Sequence, residues 1–165
     1  MNKFAIFIDF DGVLIHEKDG LRPRTGKYET ASAFKFDPDA VSAITKLLSE
    51  LDYLGLDPIL VLSTSWIKYV STPLLKELLI DHFHARYIDD TLTFGCSHTP
   101  TRYHRIEEWL WHCKAQLRNI NSFFILDDSN SGSALCDFRN FLEFEPSEID
   151  RRTFLVDYDG AKVFS

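Results

Sequence analysis

Three short runs of wholly apolar residues, Phe4-Ala5-Ile6-Phe7-Ile8, Ile59-Leu60-Val61-Leu62 and Phe123-Phe124-Ile125-Leu126, each give way abruptly to polar residues. Runs without polar alternation are expected of strands in a parallel sheet that is covered on both faces. Helical spacing fills the intervals. Asp37 followed by Pro38 reads as an N-cap with proline at the first helical position. Val41, Ile44, Leu47, Leu48 and Leu51 then recur at helical spacing until Gly55 stops the run, a helix of roughly four turns. Thr72-Pro73 predicts the cap of a second helix carrying Leu74, Leu75, Leu78 and Leu79, and a third starts near Arg102 with Ile106, Trp109, Leu110, Cys113 and Leu117 on one face. Residues 153–156 and 163–164 read as late strands at a sheet edge, separated by the turn Asp157-Tyr158-Asp159-Gly160. The least regular stretches are 15–36 and 81–100.

Apolar strands alternating with amphipathic helices predict an α/β, Rossmann-like parallel sheet with helices on both faces. Sheets of this kind bind ligands beyond the carboxyl ends of their strands, so the polar residues that follow each run are where chemistry is expected. With 165 residues and 45% apolar content, the chain reads as one domain, 1–165. Asp9 and Asp11 break the first apolar run too early for a signal peptide or a membrane span, and the expectation is a soluble, cytoplasmic protein. Cys96, Cys113 and Cys136 are odd in number, widely spaced and without a CxxC pair, which points to neither a disulfide framework nor a cysteine zinc site. The formal charge of −7 argues against broad electrostatic capture of nucleic acid, though a local basic groove is compatible with it. Carboxylates gathered around a divalent cation would add to that negative count.

Each strand end offers a chemical group. Asp9-Phe10-Asp11-Gly12-Val13 sets two carboxylates two residues apart, where an extended backbone points both to one side. Ser63-Thr64-Ser65 follows the second run with hydroxyls and backbone N–H groups suited to phosphate oxygens, although a capping serine would look the same. Asp127-Asp128 follows the third with hard oxygen ligands for a cation that prefers octahedral oxygen coordination, and an Asx-turn is the alternative there. Three strand ends agree.

Together these residues resemble the haloacid dehalogenase (HAD) superfamily. Asp9-Phe10-Asp11-Gly12-Val13 is similar to its first motif, Ser63 to the second and Asp127-Asp128 to the fourth. The third, basic motif lies at a helix start, and Thr101-Arg102-Tyr103-His104-Arg105-Ile106-Glu107-Glu108-Trp109-Leu110 is similar to its arginine form. Arg102 is the choice for it, with Arg105 and Lys114 as rivals. The combination of Leu62-Ser63-Thr64-Ser65-Trp66, an arginine before Ile-x-x-Trp-Leu, and Leu126-Asp127-Asp128 resembles small HAD domains associated with RNA repair proteins.

The resemblance implies a Mg2+-dependent phosphohydrolase. Asp9 would be the nucleophile that forms an aspartyl-phosphate, Asp11 the general acid and base, and Ser63 and Arg102 the holders of phosphoryl oxygens. The metal would be held by Asp9, the backbone carbonyl of Asp11 and Asp128, with Asp127 nearby. Room exists only for a short flap around 15–36, not a large cap domain, and an open site suits a bulky substrate such as a phosphoprotein or an RNA or DNA end, the expected substrate being a nucleic-acid end bearing a 3′- or 5′-phosphate. Lys18, Arg22, Arg24 and Lys27 on that flap could meet phosphates or merely be solvated. Trp66, Tyr69 and Trp109 could stack on bases or belong to the core. A ligase or kinase partner on another chain follows by analogy alone. The alternatives are a phosphatase of nucleotides or other small metabolites, a phosphotransferase, and a catalytically silent HAD binding or regulatory module. The presence of both Asp9 and Asp11 speaks against the last.

Overall fold

The computed structural model describes residues 3–11, 13–15, 35–95, 102–116, 120–127, 141–143, 154–156 and 162–164. Four strands, β1 (Lys3–Ile8), β2 (Pro58–Leu62), β3 (Ile120–Asp127) and β4 (Phe141–Glu143), form one sheet in the order β2-β1-β3-β4. All three pairings are parallel. The helices are α1 (Pro38–Tyr53), α2 (Thr72–His82), the single-turn α3 (Asp90–Thr93) and α4 (Arg102–Ala115), with 3₁₀ turns at Ser65–Lys68 and Ala85–Tyr87.

Strand periodicity sorts the side chains into two cores. Phe4, Ile6 and Ile8 face the same way as Leu60, Leu62, Phe124 and Leu126, and are covered by Ala40, Ile44, Leu47 and Leu51 of α1 and Leu74, Leu75, Leu78 and Leu79 of α2. Ala5, Phe7, Ile59, Val61 and Ile125 face the other way, beneath Leu92 of α3 and Ile106, Trp109 and Cys113 of α4. Phe7 is clamped edge-on between Trp109 and Phe123, at centroid distances of 5.1 and 5.8 Å. Helices on both faces explain why β1 and β2 carry almost no polar residue.

The limits of α1 follow from single residues. The Asp37 carboxylate accepts a hydrogen bond from the Asp39 N–H at 3.0 Å, and Pro38 stands in the first turn, where a missing N–H costs nothing. At the other end, the Leu56 N–H donates to the Leu51 carbonyl and the Gly55 N–H to that of Asp52, at 3.0 and 2.9 Å. This is a Schellman closure, and it needs the left-handed backbone that Gly55 adopts at φ 76°. Asp57 also has positive φ, at 47°, and is tied by its carboxylate to Lys3 at 3.1 Å while its carbonyl accepts the Phe4 N–H.

Some expectations need correction. The N-cap of α2 is Ser71 and not Thr72: the Ser71 carbonyl accepts the Leu75 N–H, so the helix begins one residue before Pro73, whose absent donor falls among those the first turn leaves unused. The stretch 81–95, read as irregular, holds the 3₁₀ turn and α3, each started by a side chain capping the next turn, His84 to the Arg86 N–H and Asp89 to the Thr91 N–H. The late strands β5 (Phe154–Val156) and β6 (Lys162–Phe164) pair antiparallel with one another in a two-stranded sheet of their own, and the edges of the parallel sheet are β2 and β4. Cys113 is buried on α4. Leu117, Cys96, Cys136, the turn 157–160 and most of the flap, 16–34 with its Lys18, Arg22, Arg24 and Lys27, lie outside the described residues.

Because a Cβ at Gly55 would meet nothing within 4 Å, its requirement is one of backbone conformation alone. Gly55→Ala is expected to lower stability by about 1–2 kcal/mol, read as a reduced urea midpoint with an unchanged m-value.

Candidate active site

β1 is hydrogen-bonded on both flanks to its last residue, and the pairing continues one step beyond it. The Asp9 N–H donates to the Leu126 carbonyl at 3.1 Å, and the Ser63 N–H donates to the Ile8 carbonyl at 3.0 Å. With Ile8 in register with Leu62 and with Leu126, Asp9, Ser63 and Asp127 occupy the carboxyl ends of three adjacent strands. The described part of Asp127 is its place as the last residue of β3; Asp128, Ser129 and Asn130 lie outside the described residues, and so does Gly12.

The turn after β1 is wound around one carbonyl. The Phe10 oxygen accepts hydrogen bonds from the Val13, Leu14 and Ile15 N–H groups, at 3.2, 2.9 and 2.8 Å. Its ring is fully buried, edge-on to Phe36 at 5.2 Å and to Trp66 at 5.1 Å. The chain therefore bends at Phe10, and the extended backbone expected to align Asp9 with Asp11 ends at Asp9. Asp9 is 2% exposed and its Oδ1 accepts the Phe10 N–H at 2.8 Å. Asp11 is half-buried, and its Oδ2 accepts the indole N–H of Trp66 at 3.2 Å.

Across from this turn, the segment after β2 separates its hydroxyls by role. Thr64 Oγ1 accepts the Trp66 N–H at 3.2 Å and starts the 3₁₀ turn. Ser63 is completely buried, and its Oγ has no hydrogen-bond partner among the described residues. A buried hydroxyl without a partner is disfavoured unless something arrives to bond it.

α4 supplies the basic side chains. It ends at Ala115, close in sequence to the start of β3 at Ile120, so it runs back along the sheet and brings its first turn to the strand ends. Arg102 is its first residue. Arg105, one turn further on, is 4% exposed. Lys114, at the opposite end and exposed, is remote from the strand ends. The burial of Arg105 was legible as a row, since 105, 109 and 113 recur every four residues and Trp109 and Cys113 are core.

Trp66 and Trp109 are core residues, 1% and 3% exposed, and not open stacking surfaces; Tyr69 is 47% exposed. The hydrogen bond from Trp66 to Asp11 spans 55 positions and has no signature in the local sequence. Among the described residues no three His, Cys, Asp or Glu side chains come together as a ready-made metal site. No helix among them is long and apolar enough to cross a membrane.

No curated protein and no solved structure matches the chain. Residues 5–154, almost all of the sequence and every strand-end group described above, match one family, described as the HAD domain in Swiss Army Knife RNA repair proteins. The chain belongs to that family, a branch of the HAD-type hydrolases found in RNA repair proteins.

Proposed function

We propose that the chain is a Mg2+-dependent phosphoric monoester hydrolase that works through an aspartyl-phosphate and acts on a nucleic-acid end carrying a 3′- or 5′-phosphate. The observation that supports it most is the pairing of a buried carboxylate, Asp9, with a buried hydroxyl without a partner among the described residues, Ser63, at neighbouring strand ends.

In this reading one oxygen of Asp9 attacks phosphorus in line, the bond from phosphorus to the ester oxygen breaks, and Asp11 gives its proton to that leaving oxygen. Water then attacks the same phosphorus, Asp11 takes its proton, and the bond to Asp9 breaks to release inorganic phosphate. Ser63 donates its hydroxyl hydrogen to a phosphoryl oxygen and so gains the partner it lacks. The basic group is Arg102 or Arg105 from the first turns of α4, whose guanidinium can meet phosphoryl oxygens in pairs.

The donor set at these strand ends is carboxylate and carbonyl oxygen, which fits Mg2+. Asp9, the Asp11 carbonyl and Asp128, with Asp127 beside it, would hold it. The ion would offset negative charge so that an anionic nucleophile can meet an anionic phosphate. A nucleic-acid end is favoured over a small metabolite by membership in a family of RNA repair domains.

The test is release of inorganic phosphate from 3′- and 5′-phosphorylated oligonucleotides, mononucleotides and an aryl phosphate. Release is expected with Mg2+, is lost with chelator and falls to background in Asp9→Asn; equal or better use of mononucleotides would move the substrate to small metabolites, and no release from any substrate would refute the hydrolase. Ser63→Ala is expected to separate function from stability. It removes a hydrogen bond to a charged oxygen, so kcat/KM falls by about 10- to 100-fold, while the unfolding free energy is unchanged or rises by up to about 1 kcal/mol because an unsatisfied group has gone.

A further inference from the structure

Trp66 meets the turn after β1 at two points. Its ring packs edge-on against Phe10, and its indole N–H donates to Asp11 Oδ2 at 3.2 Å. It is itself immobilised, 1% exposed, with its backbone N–H on Thr64 Oγ1. An indole N–H can only donate and does not ionise, so the carboxylate oxygen that faces it must accept. Oδ2 of Asp11 is thereby engaged as an acceptor, which leaves Oδ1 as the oxygen open to a reacting group.

We infer that Trp66 is a positioning residue for the proton transfers of Asp11: by fixing Oδ2 it aims Oδ1 at the leaving oxygen and then at the attacking water. Nothing about Trp66 touches substrate in this scheme, and its influence passes entirely through Asp11. The anchor is rigid because the Trp66 backbone is held by the Thr64 cap and its ring by Phe10, whose own carbonyl holds the turn on which Asp11 sits. A carboxylate that must serve as acid and then as base at two positions benefits from an unvarying orientation.

The inference rests on the proposed function, and Trp66→Phe tests it, since the ring contact with Phe10 is kept while the N–H is removed. An aryl oxygen leaves phosphorus without needing a proton, whereas hydrolysis of the aspartyl-phosphate still needs Asp11 as base. With an aryl phosphate, Trp66→Phe is therefore expected to keep its first-turnover burst of aryl alcohol within about twofold of wild type while steady-state kcat falls about tenfold, the loss of one hydrogen bond to a charged group. With an alkyl or nucleotide-end phosphate the burst itself slows by a similar factor. Trp109→Phe is the control, a tryptophan equally buried whose indole N–H donates to the Leu92 carbonyl at 3.0 Å, away from Asp11; it is expected to leave this pattern unmoved. In an Asp11→Asn background, Trp66→Phe is expected to have no further effect.

Wild-type turnover in Trp66→Phe, equal slowing of both phases, the same pattern from Trp109→Phe, or an undiminished effect beside Asp11→Asn would overturn the role. A wild-type chain that releases no phosphate refutes the proposed function and the role with it, whereas an active wild type matched by Trp66→Phe refutes the role alone. Should Trp66→Phe fail to fold, the contact is still read from the indole N–H resonances of the three tryptophans: Asp11→Ala is expected to displace one of the three, and displacement of none would overturn the inference.

Discussion

β1 has a neighbour in every direction. It is hydrogen-bonded to β2 on one side and β3 on the other, and its two faces are closed by α1 with α2 and by α3 with α4. Phe4 to Ile8 are 0–1% exposed. From Phe4 onward a strand so placed has no direction in which a polar side chain could reach water, and every residue to Ile8 must be apolar. The first polar residue after Phe4 therefore marks where the strand stops. That residue is Asp9, and its position depends directly on the burial before it: the same hydrogen bonds that hold β1 between its neighbours continue one step further, to the Asp9 and Ser63 N–H groups.

Phe10 converts this strand end into a site. Its ring fills the space between Phe36 and Trp66 at centroid distances near van der Waals contact, and its carbonyl gathers three successive N–H groups. One residue thus closes the core above β1 and turns the chain so that Asp11 comes to the indole of Trp66. Packing and chemistry are not separable here. The aromatic contact that keeps water from the core also fixes the two elements, the turn and the segment after β2, whose polar atoms face one another.

How much of this could be read from the sequence depended on whether the determinant was local. The bounds of α1 were legible because Asp37, Pro38 and Gly55 act on their own backbone, through a cap, a missing N–H and a left-handed φ. The three apolar strands were legible because burial on both faces leaves a continuous run. β4 was not, since Phe141-Leu142-Glu143 has no pattern of its own and is a strand by its pairing with Ile125, Leu126 and Asp127. β5 and β6 carried a strand pattern that says nothing of which partner each would take, and they took each other. The strand-end positions of Asp9, Ser63 and Asp127 followed from the runs before them. The bond between Trp66 and Asp11 could not follow from anything near either residue, because it joins two loops brought together only by the parallel pairing of β1 and β2.

The same strand ends concentrate groups that a folding chain on its own would not choose to bury. Asp9 is a carboxylate almost without access to water, Ser63 a hydroxyl with no partner among the described residues, and Arg105 a guanidinium nearly closed off on the adjoining helix. Burial of a neutral polar group such as the Ser63 hydroxyl without its partner costs about 1–3 kcal/mol, a burden the two apolar cores on either side of β1 are large enough to bear. A hydroxyl held this way needs no reorganisation when a ligand arrives: a phosphoryl oxygen can accept from Ser63. The residues least favourable for stability are thus the ones that a phosphorylated substrate would suit best, and they are gathered at the one end of the sheet where three strands finish together.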